Sequence, residues 1–233
     1  MIDKVNLKLY NHVMPRNQRY ILPDVPHHAF QRGNNRQKIF HREEDQAYFL
    51  KHTKNYAKEN QVRIGAYCIM TNHFHLMVFP KDKEGLIKFM KAGSQKYSQY
   101  FNKRYKRTGK IWENRYKMNI VDPESSWFVA RYIERNPLRA GMVKKAEEYK
   151  HSSAARHLSG KEDNLITEDI LKNDRENYVR FFHEKDADDI TELDRLRLII
   201  QQQKAIGSNG FLGMLKEKFK VDFNVKGRGR PIK

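Results

Sequence analysis

Two histidines, His73 and His75, flank a single bulky apolar residue, Phe74, in the run CIMTNHFHLMVFP from Cys68 to Pro80. Because alternate side chains of a β-strand point to opposite faces, both imidazoles are expected on one face and Phe74 on the other. Imidazole is a common ligand for divalent metals, and a pair held on a strand leaves further coordination positions open. The spacing therefore indicates a two-nitrogen metal site, although an apolar strand with two incidental histidines has the same pattern.

A second polar pair occurs in SSWFVARYIERNPLRAGMV, from Ser125 to Val143. A proline and an acidic residue precede its apolar run and predict a helix start, and the Asn-Pro pair predicts the helix end, because proline disfavours helical geometry in the residue before it. Tyr132 and Asn136 are four residues apart and are therefore expected on one helix face. A tyrosine on such a helix is more often a core residue than a nucleophile, so its interest depends on the histidines.

Four segments of the chain carry these motifs in a fixed order. They are HHAFQRGNNRQKIF (His27–Phe40), AYCIMTNHFHLMVFP (Ala66–Pro80), YSQYFNKRYKRTGKIWENRYK (Tyr97–Lys117) and RYIERNPLRAGMV (Arg131–Val143). Together they resemble the HUH single-tyrosine DNA transposases, and more closely their REP-associated branch, the REP-associated tyrosine transposases (RAYTs). The resemblance covers about residues 20 to 155.

The resemblance implies roles for four residues. In that family a histidine pair binds a divalent ion, a tyrosine one helical turn before the Asn-Pro pair is the nucleophile, and the polar residue one turn after the tyrosine completes the metal site. These roles fall on His73, His75, Tyr132 and Asn136. Several relatives have Gln or Asp in place of Asn136, and because an amide carries no charge we expect modest metal affinity. Two imidazoles favour Mn²⁺ at least as much as Mg²⁺, which prefers oxygen ligands.

The resemblance also implies an activity, the cleavage and rejoining of single-stranded DNA. Tyr132 is expected to attack a phosphodiester, giving a 5′-phosphotyrosine link and a free 3′-hydroxyl, while the metal ion acts as a Lewis acid. No second tyrosine lies one turn from Tyr132, which argues against a two-tyrosine rolling-circle mechanism. Tyr97, Tyr100 and Tyr105 are rival nucleophiles, but their alternation with Lys and Arg is more typical of base stacking and phosphate contact.

The charge of the chain favours a polyanionic partner. Its 233 residues include 46 Lys and Arg against 28 Asp and Glu, a formal net charge of +18. Neutralised phosphates release condensed counterions, which favours nucleic acid, although a basic protein kept soluble by its charge has the same composition. The single cysteine, Cys68, excludes an intrachain disulfide, and no apolar stretch approaches the ~20 residues of a membrane span. We therefore expect a cytoplasmic, nucleoid-associated protein without a membrane segment, either a monomer or a homodimer.

Three groups of residues are predicted to contact DNA. The turn QRGNNR after the first strand has glycine and amides that can approach bases, and in RAYTs a loop near the sheet edge reads the GTAG-type foot of a REP hairpin. The basic helix that carries the rival tyrosines forms the second group, and the C-terminal GRGRP, which resembles an AT-hook, forms the third. The alternatives to DNA contact are, for the three groups in the same order, an ordinary turn, a solvated basic helix and a disordered tail. The residues so assigned are Arg32, Asn34, Asn35, Tyr97, Lys103, Arg104, Arg107, Arg115, Arg228 and Arg230.

Periodicity and turn signals predict the order β-α-β-β-α-β-α for the body of the chain. This order indicates an α+β fold in which helices pack on an antiparallel sheet, and the resemblance implies the same HUH or ferredoxin-like transposase fold, with a small helical C-terminal extension. The predicted strands are His28–Arg32, Arg63–Met70, His73–Phe79 and Arg115–Val121, and the helices before Tyr132 are Glu43–Asn60 and Glu84–Arg104.

Charge divides the chain into regions. Residues 81–117 have a net charge of +9, residues 161–194 of −7 and residues 195–233 of +8. We therefore expect a catalytic domain over residues 1–155, an acidic helical connector over 156–194 and a basic helical C-terminal region over 195–233. The last region should contain two helices around a glycine turn, as a packing hairpin or a helix-turn-helix.

Two other functions remain open at this point. One is an HUH nickase or relaxase that serves replication or conjugation. The other is a REP-binding protein that structures or regulates DNA and has little catalysis. The complete set of His73, His75, Tyr132 and Asn136 argues against the second of these.

Overall fold

The computed structural model describes residues 19–184 and 190–225. Its centre is a four-stranded sheet in the order β2-β3-β1-β4, and every neighbouring pair of strands is antiparallel. The strands are β1 (His27–Arg32), β2 (Val62–Ile69), β3 (His73–Pro80) and β4 (Lys117–Ile120). A tight turn at Thr71 and Asn72 joins β2 to β3, as predicted, and is closed by a 2.8 Å hydrogen bond from the Met70 amide to the His73 carbonyl.

Eight α-helices surround this sheet in the described part of the chain, which confirms the predicted α+β class with a helical C-terminal extension. None of these helices is both long enough and apolar enough to cross a membrane. The helices are α1 (Glu43–Glu59), α2 (Lys83–Arg104), α3 (Ser126–Glu134), α4 (Asn136–Arg139), α5 (Ala154–Ser159), α6 (Arg175–Phe182), α7 (Ile190–Gln202) and α8 (Asn209–Phe219).

The alternation of side chains along the strands gives the sheet two apolar faces. On one face Phe74 and Leu76 of β3 pack with Phe49 of α1 and Phe101 of α2. On the other face the odd-numbered residues of β3 meet the apolar side of α3, which includes Ile133. The sheet therefore lies between two helical layers, and the histidines of β3 belong to the face that α3 covers.

Local sequence sets several helix boundaries. Asp82 caps α2, and its carboxylate accepts a 2.7 Å hydrogen bond from the Gly85 amide. Ser208 caps α8 in the same way through the Phe211 amide. Both side chains satisfy a backbone donor that the first helical turn leaves unpaired.

The helix that carries Tyr132 ends one residue earlier than its Asn-Pro pair suggests. Arg135, with φ −80° and ψ −2°, separates α3 from the one-turn helix α4, which begins at Asn136 and includes Pro137 in its first turn. Proline is accepted there because the first helical N–H groups have no partner within the helix. The Asn-Pro pair thus starts a new helix after a break.

The region boundaries inferred from charge fall inside helices. Residue 155 lies within α5 and residue 194 within α7. Tyr178 of α6 and Leu196 of α7 are buried in the same cluster as Met77 of the sheet. Net charge describes the surface of these helices, whereas their buried residues continue the core that covers the sheet face below α3.

Stability should depend on pH through His27. Its imidazole is fully buried on β1, between the Val25 carbonyl at 2.7 Å and the Leu22 amide at 3.3 Å, and burial lowers its pKa from 6.5 to about 4. As the pH falls from about 6.5 to about 4, the unfolded chain binds a proton at His27 that the folded chain does not bind. The free energy of unfolding should therefore fall by roughly 3 kcal/mol from this residue alone.

Denaturant unfolding of the wild type and of His27→Gln, from about pH 7 to about pH 4, measures this effect. Glutamine keeps an acceptor for the Leu22 amide but cannot titrate, so the variant should lose less stability on acidification. Parallel stability curves for the two proteins would contradict the prediction.

Candidate active site

His73 and His75 lie on the sheet face that α3 covers. Their ring centroids are 5.0 Å apart and their planes are nearly perpendicular, at 85°. Phe74 points to the other face, where its ring lies 4.8 Å from that of Phe49. The alternation predicted for this strand is therefore present, and the two imidazoles are held on one rigid element.

A neighbouring side chain engages the Nδ1 atom of each imidazole. His73 Nδ1 is 2.5 Å from Asn72 Oδ1, and His75 Nδ1 is 2.8 Å from His28 Nε2. An amide oxygen accepts only, so His73 must carry its proton on Nδ1. In both rings Nε2 is then the nitrogen that remains available to bind a metal, so the pair fits the divalent ion that the family resemblance implies.

Burial keeps these imidazoles neutral. It lowers the pKa of His73 to about 3 and that of His28 to about 4, and it places the pKa of His75 well below 6.5. The charge of Arg32 lowers the pKa of His73 further, and the neighbouring His28 does the same for His75. Neutral imidazole is the form that binds metals, so no proton has to leave these rings at neutral pH.

Helix α3 brings Tyr132 to the same place. The phenol ring is edge-on to His75, with centroids 5.7 Å apart at 90°, and edge-on to His28 at 6.1 Å and 89°. Burial raises the pKa of the phenol, and the positive charges of three arginines oppose this rise, the largest effect coming from Arg139. The Arg139 guanidinium lies 4.9 Å from the centroid of the Tyr132 ring.

Arg32 is the second arginine at this site. It pairs with His73 across β1 and β3, and its guanidinium lies 5.1 Å from the centroid of the Phe30 ring. Its Nε atom is buried and has no hydrogen-bond partner within the described residues. Burial lowers the pKa of Arg32, and the nearby Tyr132 opposes that effect. Arg32, predicted to contact DNA, is thus placed beside the candidate catalytic groups.

Asn136 follows Tyr132 by one turn, but its amide has a structural role. Its Nδ2 donates to the carbonyls of Tyr132 at 2.9 Å and Ile133 at 3.0 Å, and so closes the end of α3. No cluster of three or more His, Cys, Asp or Glu side chains suited to a metal is present in the described part of the chain. The role of Asn136 Oδ1 as a third ligand beside the two imidazoles stays a prediction.

A buried carboxylate holds the back of α3. Glu134 is fully buried and accepts hydrogen bonds from Ser153 at 2.5 Å, His157 at 2.5 Å and the Tyr178 hydroxyl at 2.8 Å. These donors come from α5, its N-terminal flank and α6. A buried charge that lost such partners would be strongly destabilising, so the network fixes the position of α3 and hence of Tyr132.

Two further side chains attach α3 to the chain that follows it. The Arg131 guanidinium donates to the Phe181 carbonyl at 2.8 Å and to the Glu184 carboxylate at 3.1 Å. The Trp127 indole donates to the Ile170 carbonyl at 2.8 Å. The tyrosine helix is thus bound to the sheet on one side and to residues 150–184 on the other.

The assignment of Tyr97 to DNA contact is corrected. Its side chain is 1% exposed, its hydroxyl donates to the Ile39 carbonyl at 2.5 Å and its ring stacks on Phe40 with centroids 4.7 Å apart. The alternation of aromatic and basic residues along α2 suggested an exposed stacking surface. In three dimensions the helix turns Tyr97 and Phe101 into the core between α1 and the sheet.

The other rival tyrosines are also committed elsewhere. Tyr100 and Tyr105 both donate to the Asp45 carboxylate of α1, at 2.9 Å and 2.6 Å. Together with Tyr97 they pack on the sheet face opposite the histidines. Of these four tyrosines, only Tyr132 lies beside the imidazoles.

The remaining residues predicted to contact DNA differ in exposure. Arg104 is partly committed to Asp45, at 3.4 Å. Arg228 and Arg230 of the AT-hook-like tail lie outside the described residues. The basic residues of this set that are exposed at the surface are Lys103, Arg104, Arg107 and Arg115.

The turn after β1 touches the hairpin that precedes His73. Asn34 and Asn35 form part of a 3₁₀ turn, and Asn35 is exposed with φ 51°. Gly33 is required there because a Cβ atom would lie 2.5 Å from the Gln37 carbonyl oxygen. Asn72 donates from Nδ2 to the carbonyl of Arg36 at 3.0 Å. The side chain that orients His73 therefore also holds the turn predicted to read DNA.

Sequence reasoning missed three polar residues of this site, Asn72, His28 and Asn119. Strand alternation places His28 on the same face of β1 as Arg32, which is a signal that the sequence contains. The identity and register of the neighbouring strands are not visible in the sequence, so the contacts of His28 with His75 and with β4 could not be inferred from it.

The sheet, its covering helices and the histidine–tyrosine arrangement are those expected of a single-tyrosine transposase domain. Residues 23–136 match the family model described as IS200-like transposase, a segment that ends at Asn136. This segment of the chain is thus similar to the IS200-like transposases, in agreement with the predicted superfamily.

Two of the solved structures to which this chain is similar are transposases. A REP-associated tyrosine transposase bound to a REP hairpin is 17% identical, with 67% of this chain and 93% of that chain covered and a TM-score of 0.49. A putative transposase from Deinococcus radiodurans R1 is 19% identical, with 52% of this chain and 96% of that chain covered and a TM-score of 0.36. No curated protein matches this sequence.

The core position of Tyr97 predicts a large effect on stability. Tyr97→Ala removes a buried ring and should lower the free energy of unfolding by about 3 to 5 kcal/mol. Arg107→Ala on the exposed surface should change it by less than about 0.5 kcal/mol. Urea unfolding of the three proteins measures both values, and a Tyr97→Ala protein as stable as the wild type would show that the ring is not part of the core.

Proposed function

We propose that this protein cleaves and rejoins single-stranded DNA through a covalent phosphotyrosine intermediate, with Tyr132 as the nucleophile. The observation that carries the proposal is the edge-on approach of Tyr132 to His75 on one sheet face, while Tyr97, Tyr100 and Tyr105 occupy the other. The similarity of residues 23–136 to the IS200-like transposases supports the same reaction class.

The proposed reaction exchanges one ester bond for another. The Tyr132 oxygen attacks the scissile phosphorus, the phenol proton leaves to solvent, and the DNA 3′-oxygen departs, which leaves a 5′-phosphotyrosine and a 3′-hydroxyl. Because a phenol is a good leaving group, the link can be reversed by the attack of a 3′-hydroxyl on the same phosphorus. The energy of the broken bond is conserved, so rejoining needs no external energy source.

His73 and His75 would hold a divalent ion, Mg²⁺ or Mn²⁺, through their Nε2 atoms, with Asn136 as the proposed third ligand. When bound, the ion would supply Lewis-acid stabilisation of the charge on the scissile phosphate. The imidazoles hold their positions without a change of protonation, because burial keeps both neutral. Arg32 and Arg139 would add positive charge beside the attacking oxygen, where charge develops in the transition state.

The substrate we propose is hairpin DNA of the REP type with a GTAG-like foot, on the basis of the sequence resemblance to the RAYTs. The net charge of +18 and the exposed Lys103, Arg107 and Arg115 supply phosphate contacts. The turn at Asn34–Arg36 adjoins the hairpin that carries His73, so DNA read by this turn would lie next to the catalytic groups. Such a protein would work in the cytoplasm at the nucleoid.

Tyr132→Phe should abolish the covalent protein–DNA adduct while changing DNA affinity by no more than a few-fold, because only the phenol oxygen is lost. The test is incubation with single-stranded oligonucleotides from around the gene in the presence of Mn²⁺, followed by denaturing electrophoresis. Tyr100→Phe is the matched control and should retain the adduct.

Mass spectrometry of the trapped peptide locates the linkage. An adduct on Tyr97, Tyr100 or Tyr105 would refute the assignment of the nucleophile. Hairpin binding without any adduct in the wild type would favour a DNA-structuring or regulatory protein.

His73→Ala and His75→Ala should each remove metal-dependent cleavage and reduce Mn²⁺ binding in calorimetric titration. Asn136→Ala should have a smaller effect, because water can replace a neutral oxygen ligand. His41→Ala, which changes an exposed histidine outside the site, is the control and should bind Mn²⁺ as the wild type does. Undiminished Mn²⁺ binding in the double variant of His73 and His75 would exclude this metal site.

A further inference from the structure

Three buried polar side chains on three neighbouring strands form a continuous line that ends at the candidate metal site. Asn119 of β4 pairs directly with His28 of β1, and His28 lies diagonally across from His75 of β3. Their exposed fractions are 1%, 0% and 2%. Water therefore does not compete for their hydrogen bonds, and each polar atom must find its partner within the protein.

The C-terminal region sets the orientation of the first member of this line. The Asn119 Nδ2 atom donates to the carbonyl of Ile199 in α7 at 3.1 Å and to the carbonyl of Lys204 at 2.7 Å. If the amide were rotated, Oδ1 would face two carbonyl oxygens, so these contacts establish which side-chain atom is Nδ2 and which is Oδ1. Oδ1 is consequently the Asn119 atom that is directed away from the C-terminal region.

His28 Nδ1 and Asn119 Oδ1 complement each other. Both atoms are buried and neither makes a hydrogen bond within residues 19–184 and 190–225, so each is the remaining partner for the other. Their residues face each other across β1 and β4, and the Asn119 side chain opposes the lowering of the His28 pKa by burial, as an acceptor of the Nδ1 proton does. His28 thus carries its proton on Nδ1 and has a lone pair on Nε2.

The lone pair on His28 Nε2 determines the state of the next ring. His75 Nδ1 is 2.8 Å from it, and the two rings are nearly coplanar, with an angle of 10° between them, so the hydrogen bond can lie in the plane of both rings. Since both rings are neutral, His75 must donate its Nδ1 proton to His28. His75 Nε2 then has its lone pair directed away from His28.

We propose that His28 and Asn119 are positioning residues that hold His75 as the Nδ1–H tautomer, with the carbonyls of Ile199 and Lys204 setting the direction of the whole line. Asn72 does the same for His73 through a single contact. The use of this tautomer for metal binding rests on the function proposed above, whereas the tautomer itself does not.

This arrangement gives the C-terminal region a part in the site. Ile199 and Lys204 lie beyond the segment 23–136 that matches the family model. If α7 did not dock, the Asn119 amide could rotate, His28 could exchange its proton between its nitrogens, and His75 would lose its preference for Nδ1–H. A ligand whose tautomer is wrong must first rearrange before it can bind a metal.

Nitrogen-15 NMR of the histidine rings in the full-length, metal-free protein tests the proposal directly. Long-range proton–nitrogen couplings distinguish the two neutral tautomers, and His75→Gln identifies the His75 signals by their disappearance. In the wild type His75 should be the Nδ1–H form. In His28→Leu it should become a mixture or the Nε2–H form, whereas His28→Gln, which restores an acceptor, should keep the wild-type form.

His27→Leu is the matched control. It removes an equally buried histidine from the same strand but on the opposite sheet face, so it reports any general effect of such a loss. His75 should remain Nδ1–H in this variant. An Nε2–H form in the wild type, or an unchanged His75 in His28→Leu, would overturn the proposal.

Mn²⁺ titration of the same proteins measures the consequence. His28→Leu should bind Mn²⁺ about 10- to 100-fold more weakly, with His28→Gln and His27→Leu within a few-fold of the wild type. Equal weakening in His28→Leu and His27→Leu would assign the effect to packing and overturn the positioning role. An Nδ1–H His75 in a protein that forms no DNA adduct would support the tautomer while contradicting the proposed cleavage.

Discussion

The register of β1 between β3 and β4 determines which side chains meet beneath the tyrosine helix. Phe30 opposes His75, Arg32 opposes His73, and His28 opposes Asn119. Because the side-chain period of a strand is two, a slip of β1 by one residue would turn its site-facing residues to the opposite face. Both the arginine beside the candidate metal ligands and the ring behind His75 thus depend on the pairing of a single central strand.

The candidate site has two halves that are separated in sequence. The sheet supplies the imidazoles, and α3 supplies Tyr132, whose position depends on contacts made by residues after 150. The buried carboxylate of Glu134 and the guanidinium of Arg131 are both bound by this later part of the chain. The site is therefore a property of the family segment together with the helices that follow it.

Local features were predictable from sequence and long-range ones were not. Alternation placed His73 and His75 on one face, and the Tyr132 helix was found from its local signals. The Thr71–Asn72 turn followed from the bounds of the two predicted strands that it joins. Tyr97 was misassigned because the charge pattern of α2 does not show which side of the helix packs on the sheet. The orienting roles of His28 and Asn119 depend on strand pairing and on carbonyl groups far along the chain, which no local pattern encodes.

Glu134 also limits how this protein can be shortened. A fragment that ended with the family segment would keep the carboxylate but lose Ser153, His157 and Tyr178, together with the helices that carry them. In such a fragment α3 would lose the contacts that fix its position over the sheet. A shortened version of this domain therefore has to extend through α6 if the partners of Glu134 are to be kept.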